Sequence, residues 1–401
     1  MSFALRASGL VFLLGLAVSP AVLTAKTYAV TVAAAERDRA AQLASFPLPE
    51  DAPRPAVLKD DMGRLLPVQV DGEGLATFLV PAQKGGEALR FTLVAGVAST
   101  PGVEVSTEAG NLQVNAAGRP VFVYRMDKDA LPRPEIADIY RRAGYLHPVF
   151  SPSGKAVTGD YHPRREHHHG LWSAWTNTRF QGRTPDFWNV QAKTGGVEFA
   201  GLDATWSGAV HGGFSARHTF IDRSAGAAQP ALHEFWTVTT YATTEATVLD
   251  LLLTQVCATR DPLILPAYRY GGMGYRAHSS WLGRDLPKVL TSEGETDRVK
   301  AHTQKVRWLH VGGPVDGAWT GLAMMDHPDN FRSPQPVRVG EAEPFFCFSP
   351  SQGGDWSIEP GRPYVARYRF VVMDGEPDAQ RLDAYWAGHA IPAVVTVTAV
   401  E

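Results

Sequence analysis

The sequence predicts an all-β protein, a small N-terminal β-sandwich followed by a large antiparallel β-supersandwich. Three observations carry this. Short runs of β-branched and aromatic residues alternate with polar ones along most of the chain, as half-buried antiparallel strands do. Glycine (38 residues) and proline (29) punctuate those runs where the chain must turn. Helical periodicity is confined to two short stretches, Glu135–Arg142 and Asp378–Ala387, the second with Leu382 and Tyr385 on its inward face.

In chain order, residues 1–25 read as a signal peptide. Arg6 supplies the positive start, Leu10-Val-Phe-Leu-Leu-Gly-Leu-Ala-Val18 the apolar core, and Ser19, Ala21 or Ala25 the small residues for cleavage. The apolar run falls short of the about 20 residues that span a bilayer, so export to the periplasm or beyond, without membrane insertion, is expected. Residues 26–100 form the small module. Its strands include Thr27–Ala33, Leu65–Val70 and Leu75–Val80, the last two separated by the turn Asp71-Gly-Glu-Gly74. Ala98-Ser-Thr-Pro-Gly102 reads as the linker into the large domain, residues 101–401. There the strand signals are Phe122–Tyr124, His211–Phe220, Glu234–Tyr241, Val248–Val256, Val306–Val311 and Tyr364–Val372, with a turn near Thr243-Thr-Glu245.

A net charge of −3 over 401 residues gives no basic surface for a nucleic-acid backbone. Only Cys257 and Cys347 are present, each in an apolar strand-like run, and both read as buried thiols although export would permit a disulfide. Nothing in the pattern fixes an oligomeric state. A GxSxG elbow, a phosphate-binding loop and HExxH are all absent, which removes the serine-hydrolase, nucleotide and zincin readings. The Gly-Gly-Met-Gly of residues 271–274 lacks the spacing and the βαβ setting of a dinucleotide fingerprint.

The densest chemistry lies in Asp160-Tyr-His-Pro-Arg-Arg-Glu-His-His-His-Gly-Leu-Trp-Ser-Ala-Trp175, which holds four of the thirteen histidines. Read as a loop entering a strand, it puts His167 and His169 on one face and His168 on the other. His162, His167 and His169 then suit proton transfer near neutral pH. They equally suit a divalent metal, with Glu166 or Asp160 as further ligands; no cofactor is otherwise expected. Trp172, Trp175 and Trp188 offer flat faces to a sugar ring, and Asp186 and Asn189 can bond vicinal hydroxyls. Glu198, in Gly195-Gly-Val-Glu-Phe199, places an acid in an apolar strand, where burial would raise its pKa as a general acid requires. Glu234 presents the same choice between catalytic carboxylate and salt-bridged core acid. Arg276 and His278 share a face of a regular strand and could hold an anionic group. Asp326, His327, Asn330, Arg332 and Gln352, in two Pro/Gly-rich loops, are candidates for a far wall, though such residues are also ordinary turn formers.

The order His147-Pro-Val, Ser151-Pro-Ser-Gly154, Glu166-His-His-His-Gly-Leu-Trp172, Pro185-Asp-Phe-Trp188, Asp326-His-Pro-Asp-Asn-Phe331 and Gly354-Asp-Trp356 resembles a family of exported bacterial proteins. That family is labelled PmoA (methane oxygenase) and treated as a domain of unknown function; the resemblance covers roughly residues 100–398. It implies a place in carbohydrate catabolism and a sandwich similar to galactose mutarotase. In mutarotase-like proteins a histidine and a carboxylate on a concave sheet handle sugar protons, but the His-His-His-Gly-Leu-Trp motif is not a mutarotase motif, so only the architecture carries over.

Together these readings predict an exported carbohydrate-active enzyme using His/carboxylate acid–base chemistry for hydrolysis, elimination or epimerisation of a glycoside. A glycan-binding protein without turnover and a metal-dependent oxidase or oxygenase are the alternatives.

Overall fold

The computed structural model describes residues 26–129 and 131–400. The expected signal peptide lies outside them. Among the described residues no helix is long and apolar enough to cross a membrane.

Two eight-stranded antiparallel sheets face each other and bury one continuous core. The first sheet runs from Val103–Glu108 at one edge, through Arg119–Arg125, Tyr145–Val149, Leu171–Ala174 and Gly272–Arg276, to Val337–Val339 at the other. The second begins at the edge strand Gly195–Trp206 and continues through His211–Asp222, Gln229–Tyr241 and Thr247–Cys257 to Tyr364–Asp374 and beyond. Alternation explains the pairing: in Gln229–Tyr241 the residues Leu232, Glu234, Trp236 and Val238 turn inward while His233, Phe235 and Thr237 do not. All six strand signals proposed for the large domain lie on observed strands, although Val306 and Arg307 precede the strand Trp308–Val315. The fold is therefore the all-β sandwich the pattern predicts.

The small module stacks a five-stranded sheet on a three-stranded one around Val30, Leu58, Phe78 and Leu93. Its edge strand is Val395–Val400, which pairs antiparallel with Thr27–Val32 over six residues. The division at residue 101 thus needs correction: the chain's end returns to complete the first module. The Val-Thr-Val-Thr alternation of residues 395–398 marks a strand but not its partner.

Helix is scarce, as expected. Ala379–Ala390 is capped by Asp378, whose carboxylate accepts from Gln380 N and Arg381 N, and it buries Leu382 and Tyr385. The stretch Glu135–Arg142 forms only a single 3-10 turn at Asp138–Tyr140. Both cysteines are free thiols, Cys347 buried so completely that its pKa is pushed up to about 12.

Candidate functional site

At one end of the sandwich a cavity of about 470 Å³ opens where the His167–His169 loop meets the edge strand of the opposite sheet. His167, His169, Arg142, Tyr140, Trp188 and Glu198 line it. The histidine loop is held tightly against the first sheet. A Cβ on Gly170 would lie 2.0 Å from the Leu146 carbonyl oxygen, so only glycine admits this approach. None of the three histidines is on a strand: His167 lies in the turn closed by the bond from His168 N to Arg165 O at 2.9 Å, and His168 and His169 follow it as loop. Even so, His167 and His169 face the cavity while His168 turns away onto Phe345 and Trp172.

His169 is the best-positioned proton carrier. Its Nδ1–H donates to Asp160 Oδ1 at 2.8 Å, and Tyr145 donates its hydroxyl to Asp160 Oδ2 at 2.8 Å. Burial opposes a charge on Asp160, but the bonds from His169 and Tyr145 and the nearby His147 outweigh it and hold the carboxyl below its ordinary range. Burial also lowers the pKa of His169, only partly countered by Asp160. A neutral imidazole with its proton on Nδ1 results, and its Nε2 bonds to no group among the described residues. His167 is driven down to about 4 by burial and by its charged neighbours, and its ring stacks on Tyr140 at 6.4 Å.

Arg142 supplies the cavity's charge. It is buried, donates through Nη2 to the Ser173 carbonyl at 3.0 Å, and forms no ion pair with any carboxylate among the described residues. Its Nε is buried without a partner. An arginine so placed is a ready acceptor of negative charge. Sequence reasoning missed it, and Tyr140 with it. Both come from the link between the strands Arg119–Arg125 and Tyr145–Val149, where the helical pattern of Glu135–Arg142 yields only the 3-10 turn Asp138–Tyr140 and so gave no sign of a cavity wall.

Several other assignments need correction. Glu198 is exposed at the cavity rim and paired with Arg223 at 2.5 Å, so the burial that would make it a general acid is lacking. Glu234 lies deep between the sheets, away from the cavity histidines. It takes Nδ1–H of His218 at 2.8 Å and the Gln255 amide at 2.7 Å, and His218 Nε2 accepts from Tyr124 at 2.7 Å. His218, directly opposite Glu234 in strand register, was not anticipated; two inward polar residues on adjacent strands were the available sign. Trp172 and Trp175 are core residues, with the Trp175 indole N–H on Gln255 at 2.7 Å. Only Trp188 of the three tryptophans reaches the cavity.

Asp186 and Asn189 brace their own loop: Asp186 Oδ1 accepts from Trp188 N and Asn189 N, and the Asn189 amide reaches Asp186 Oδ2 at 2.8 Å. Arg276 is wholly buried against Glu343 and His168, whereas His278 sits in the following turn and bonds Ser280, so the pair does not act together. The far-wall residues are likewise structural. Asp326 accepts from Asn330, Ser333 and the Gln335 amide, Arg332 donates to the carbonyls of Pro350, Gly354 and Asp355, and Gln352 donates to the Arg269 carbonyl. His327 packs on His389. His162 stands in the turn closed on Arg165 and does not line the cavity. Among the described residues no three His, Cys, Asp or Glu side chains are grouped as metal ligands, so His162, His167 and His169 do not form the ligand set considered above.

No curated protein matches the chain. Among solved structures it is similar to an α-mannosidase from Enterococcus faecalis V583 (12% identity, TM-score 0.45, 94% of this chain and 46% of that one). A glycosyl hydrolase family 38 protein from Enterococcus faecalis gives 12% identity and a TM-score of 0.39 over 94% of this chain and 48% of that one. A galactose mutarotase related enzyme from Lactobacillus acidophilus gives 8% and 0.31 over 68% of this chain and 97% of that one. The chain spans about half the length of the two Enterococcus proteins. All three similarities are weak, and the fold rests on the sheet topology above. The profile of a family of unknown function, DUF6807, matches residues 111–387 and carries no methane-oxygenase label. Those residues include the histidine loop, Arg142, the second large sheet and all of the first but its edge strand Val103–Glu108, and the chain belongs to that family.

Proposed function

We propose that the protein is an exported enzyme that moves a proton at carbon in an acidic or oxidised sugar, by elimination or epimerisation. The observation that carries this is a neutral histidine fixed by a carboxylate, His169 on Asp160, in one cavity with the cation Arg142, which forms no ion pair among the described residues. Abstraction of a proton beside a carbonyl or carboxylate needs a base together with positive charge for the enolate oxygen that develops. His169 Nε2 is the base, and the imidazolium it becomes is stabilised by Asp160. Arg142 faces the carboxylate or carbonyl of the substrate and strengthens its hold as charge builds there. Tyr140 offers a phenolic hydroxyl on the same wall, and Trp188 an apolar surface. Hydrolysis is less well supported, because Glu198, the nearest of the proposed catalytic acids, is tied to Arg223 at the rim. Residues 1–25 support export by composition.

The test is incubation of the full chain and of His169→Gln with uronate-bearing and 3-keto glycosides in deuterated buffer. Product formation and deuterium at the carbon beside the carbonyl are followed. A fall of about 10²-fold or more in the variant is expected. Turnover unchanged in His169→Gln sinks the assignment. Saturable binding without turnover on any substrate supports the glycan-binding alternative instead.

A further inference from the structure

A second cavity, of about 710 Å³, lies between the small module and the large sandwich and shares no lining residue with the first. The small module contributes Arg39, Gln83 and Lys84, and the large domain Glu245, Arg381 and Tyr385. Arg39 is 8% exposed. Its backbone is fixed by a reciprocal pair of hydrogen bonds with Gln83, Arg39 N to Gln83 O at 2.8 Å and Gln83 N to Arg39 O at 2.9 Å. Its guanidinium, by contrast, bonds to no group among the described residues; Nε and Nη1 are buried without partners there, as is Gln83 Oε1.

Every other charge on the cavity wall is accounted for. Lys84 pairs with Asp38 at 2.7 Å, and Asp38 also accepts from Gly85 N at 3.0 Å. Arg381 donates to the Glu245 carbonyl at 3.2 Å and approaches its carboxylate at 3.9 Å. Asp378 is spent on the helix cap. Arg39 forms no ion pair among the described residues, and the nearby Glu36 offsets only part of the cost of burying its charge, an arrangement that costs stability unless something supplies the acceptor. A guanidinium fork matches the paired oxygens of a carboxylate or a sulfate. The cavity volume is that of small-ligand sites, and Tyr385 offers an aromatic wall to the ligand's body.

We propose that this cavity is a second ligand site, in which Arg39 binds the oxyanion of a small acidic ligand and so clamps the two modules together. The proposal is independent of the chemistry assigned to His169. An acidic sugar and a free inorganic oxyanion share this recognition, and the test separates them.

The full chain is titrated calorimetrically with glucuronate, sulfate and phosphate, each alone, with the first cavity silenced by Arg142→Gln. At least one anion should bind, and Arg39→Ala should weaken it about tenfold or more, Arg39→Lys by less. Glucuronate binding alone identifies a sugar-acid site; equal binding of all three identifies an unselective oxyanion site. In the unmutated chain, the same anion should slow amide exchange in both 38–41 and 380–385. That second reading holds even if Arg39→Ala does not fold. Absence of binding by all three, an Arg39→Ala variant with native circular dichroism and unchanged affinity, or no added protection in either segment overturns the proposal.

Discussion

Asp160 Oδ1 accepts the Nδ1 proton of His169 at 2.8 Å, and the other oxygen of the same carboxylate is held by Tyr145. This fixes the imidazole tautomer as well as its orientation, because an ionised carboxylate can only accept. Asp160→Asn keeps the shape but lets the amide donate, so His169 can turn its lone pair toward residue 160 and its proton toward the cavity. Activity should fall about 10²–10⁴-fold in kcat/KM with little change in the fold. Steady-state kinetics with circular dichroism checks this. An Asp160→Asn variant with full activity removes Asp160 from the mechanism.

Arg142 separates acidic from neutral ligands. It bonds no carboxylate directly, although the buried Glu234 lies near enough to favour its charge, so replacing it by glutamine takes away the cavity's charge without breaking an ion pair. Binding of a uronate should weaken by roughly 10–100-fold, the worth of a charged hydrogen bond. Binding of the matching neutral sugar should change several-fold at most. Equal losses for both ligands would mean that Arg142 shapes the wall and does not read charge.

The fold was legible because alternation is local. A strand such as Thr247–Cys257 declares its inward face residue by residue, and the register of its neighbours follows from burying that face. The candidate site was legible only where its residues sit together in the chain. His167 and His169 both reach the cavity because they are two residues apart, although His167 lies in a turn and the strand alternation that suggested the pairing does not apply there. Arg142 and Tyr140 reach the cavity from a stretch whose helical pattern folds only into a 3-10 turn, and nothing in that pattern marks them as cavity residues. Trp172 and Trp175 misled because a tryptophan beside histidines looks the same whether it stacks on a ligand or fills the core. Only burial, a property of the whole fold, separates the two. Glu198 misled for the converse reason: it occupies an outward position on an edge strand whose preceding residues are inward.

Several histidines are held neutral by burial, which makes the fold acid-sensitive. His310 and His389 are pushed down to about 3 and His167 to about 4, while the unfolded chain protonates histidine near 6.5. A group whose folded pKa is depressed in this way gives the unfolded state the greater proton uptake, so stability falls as pH drops below 6.5. Asp326, raised to about 6, acts in the opposite sense, because the folded state takes up its proton first. These three histidines against one aspartate alone leave an uptake of about two protons on unfolding near pH 5, or about 2–3 kcal/mol per pH unit, and the other histidines lowered by burial, His168 most of all, add to it. Urea unfolding between pH 7 and 4.5 should show this loss. A flat profile would mean that these imidazoles titrate normally in the folded protein.

Gly144 tests the inter-sheet relay. Its φ is +81°, and a Cβ there would lie 2.6 Å from His218 Cδ2 and 2.7 Å from its Nε2. His218 cannot give way, being held by Tyr124 at 2.7 Å and Glu234 at 2.8 Å, with all three side chains buried. Gly144→Ala therefore meets two costs. A left-handed alanine takes about 1–2 kcal/mol, and displacing His218 from its buried partners a further 1–3 kcal/mol. In a His218→Ala background the second cost vanishes, so the same substitution should then cost only the backbone part. Urea midpoints of the four proteins in this cycle decide it. Equal losses in both backgrounds would show that Gly144 answers to the backbone alone and that the His218 ring does not set the limit at this position.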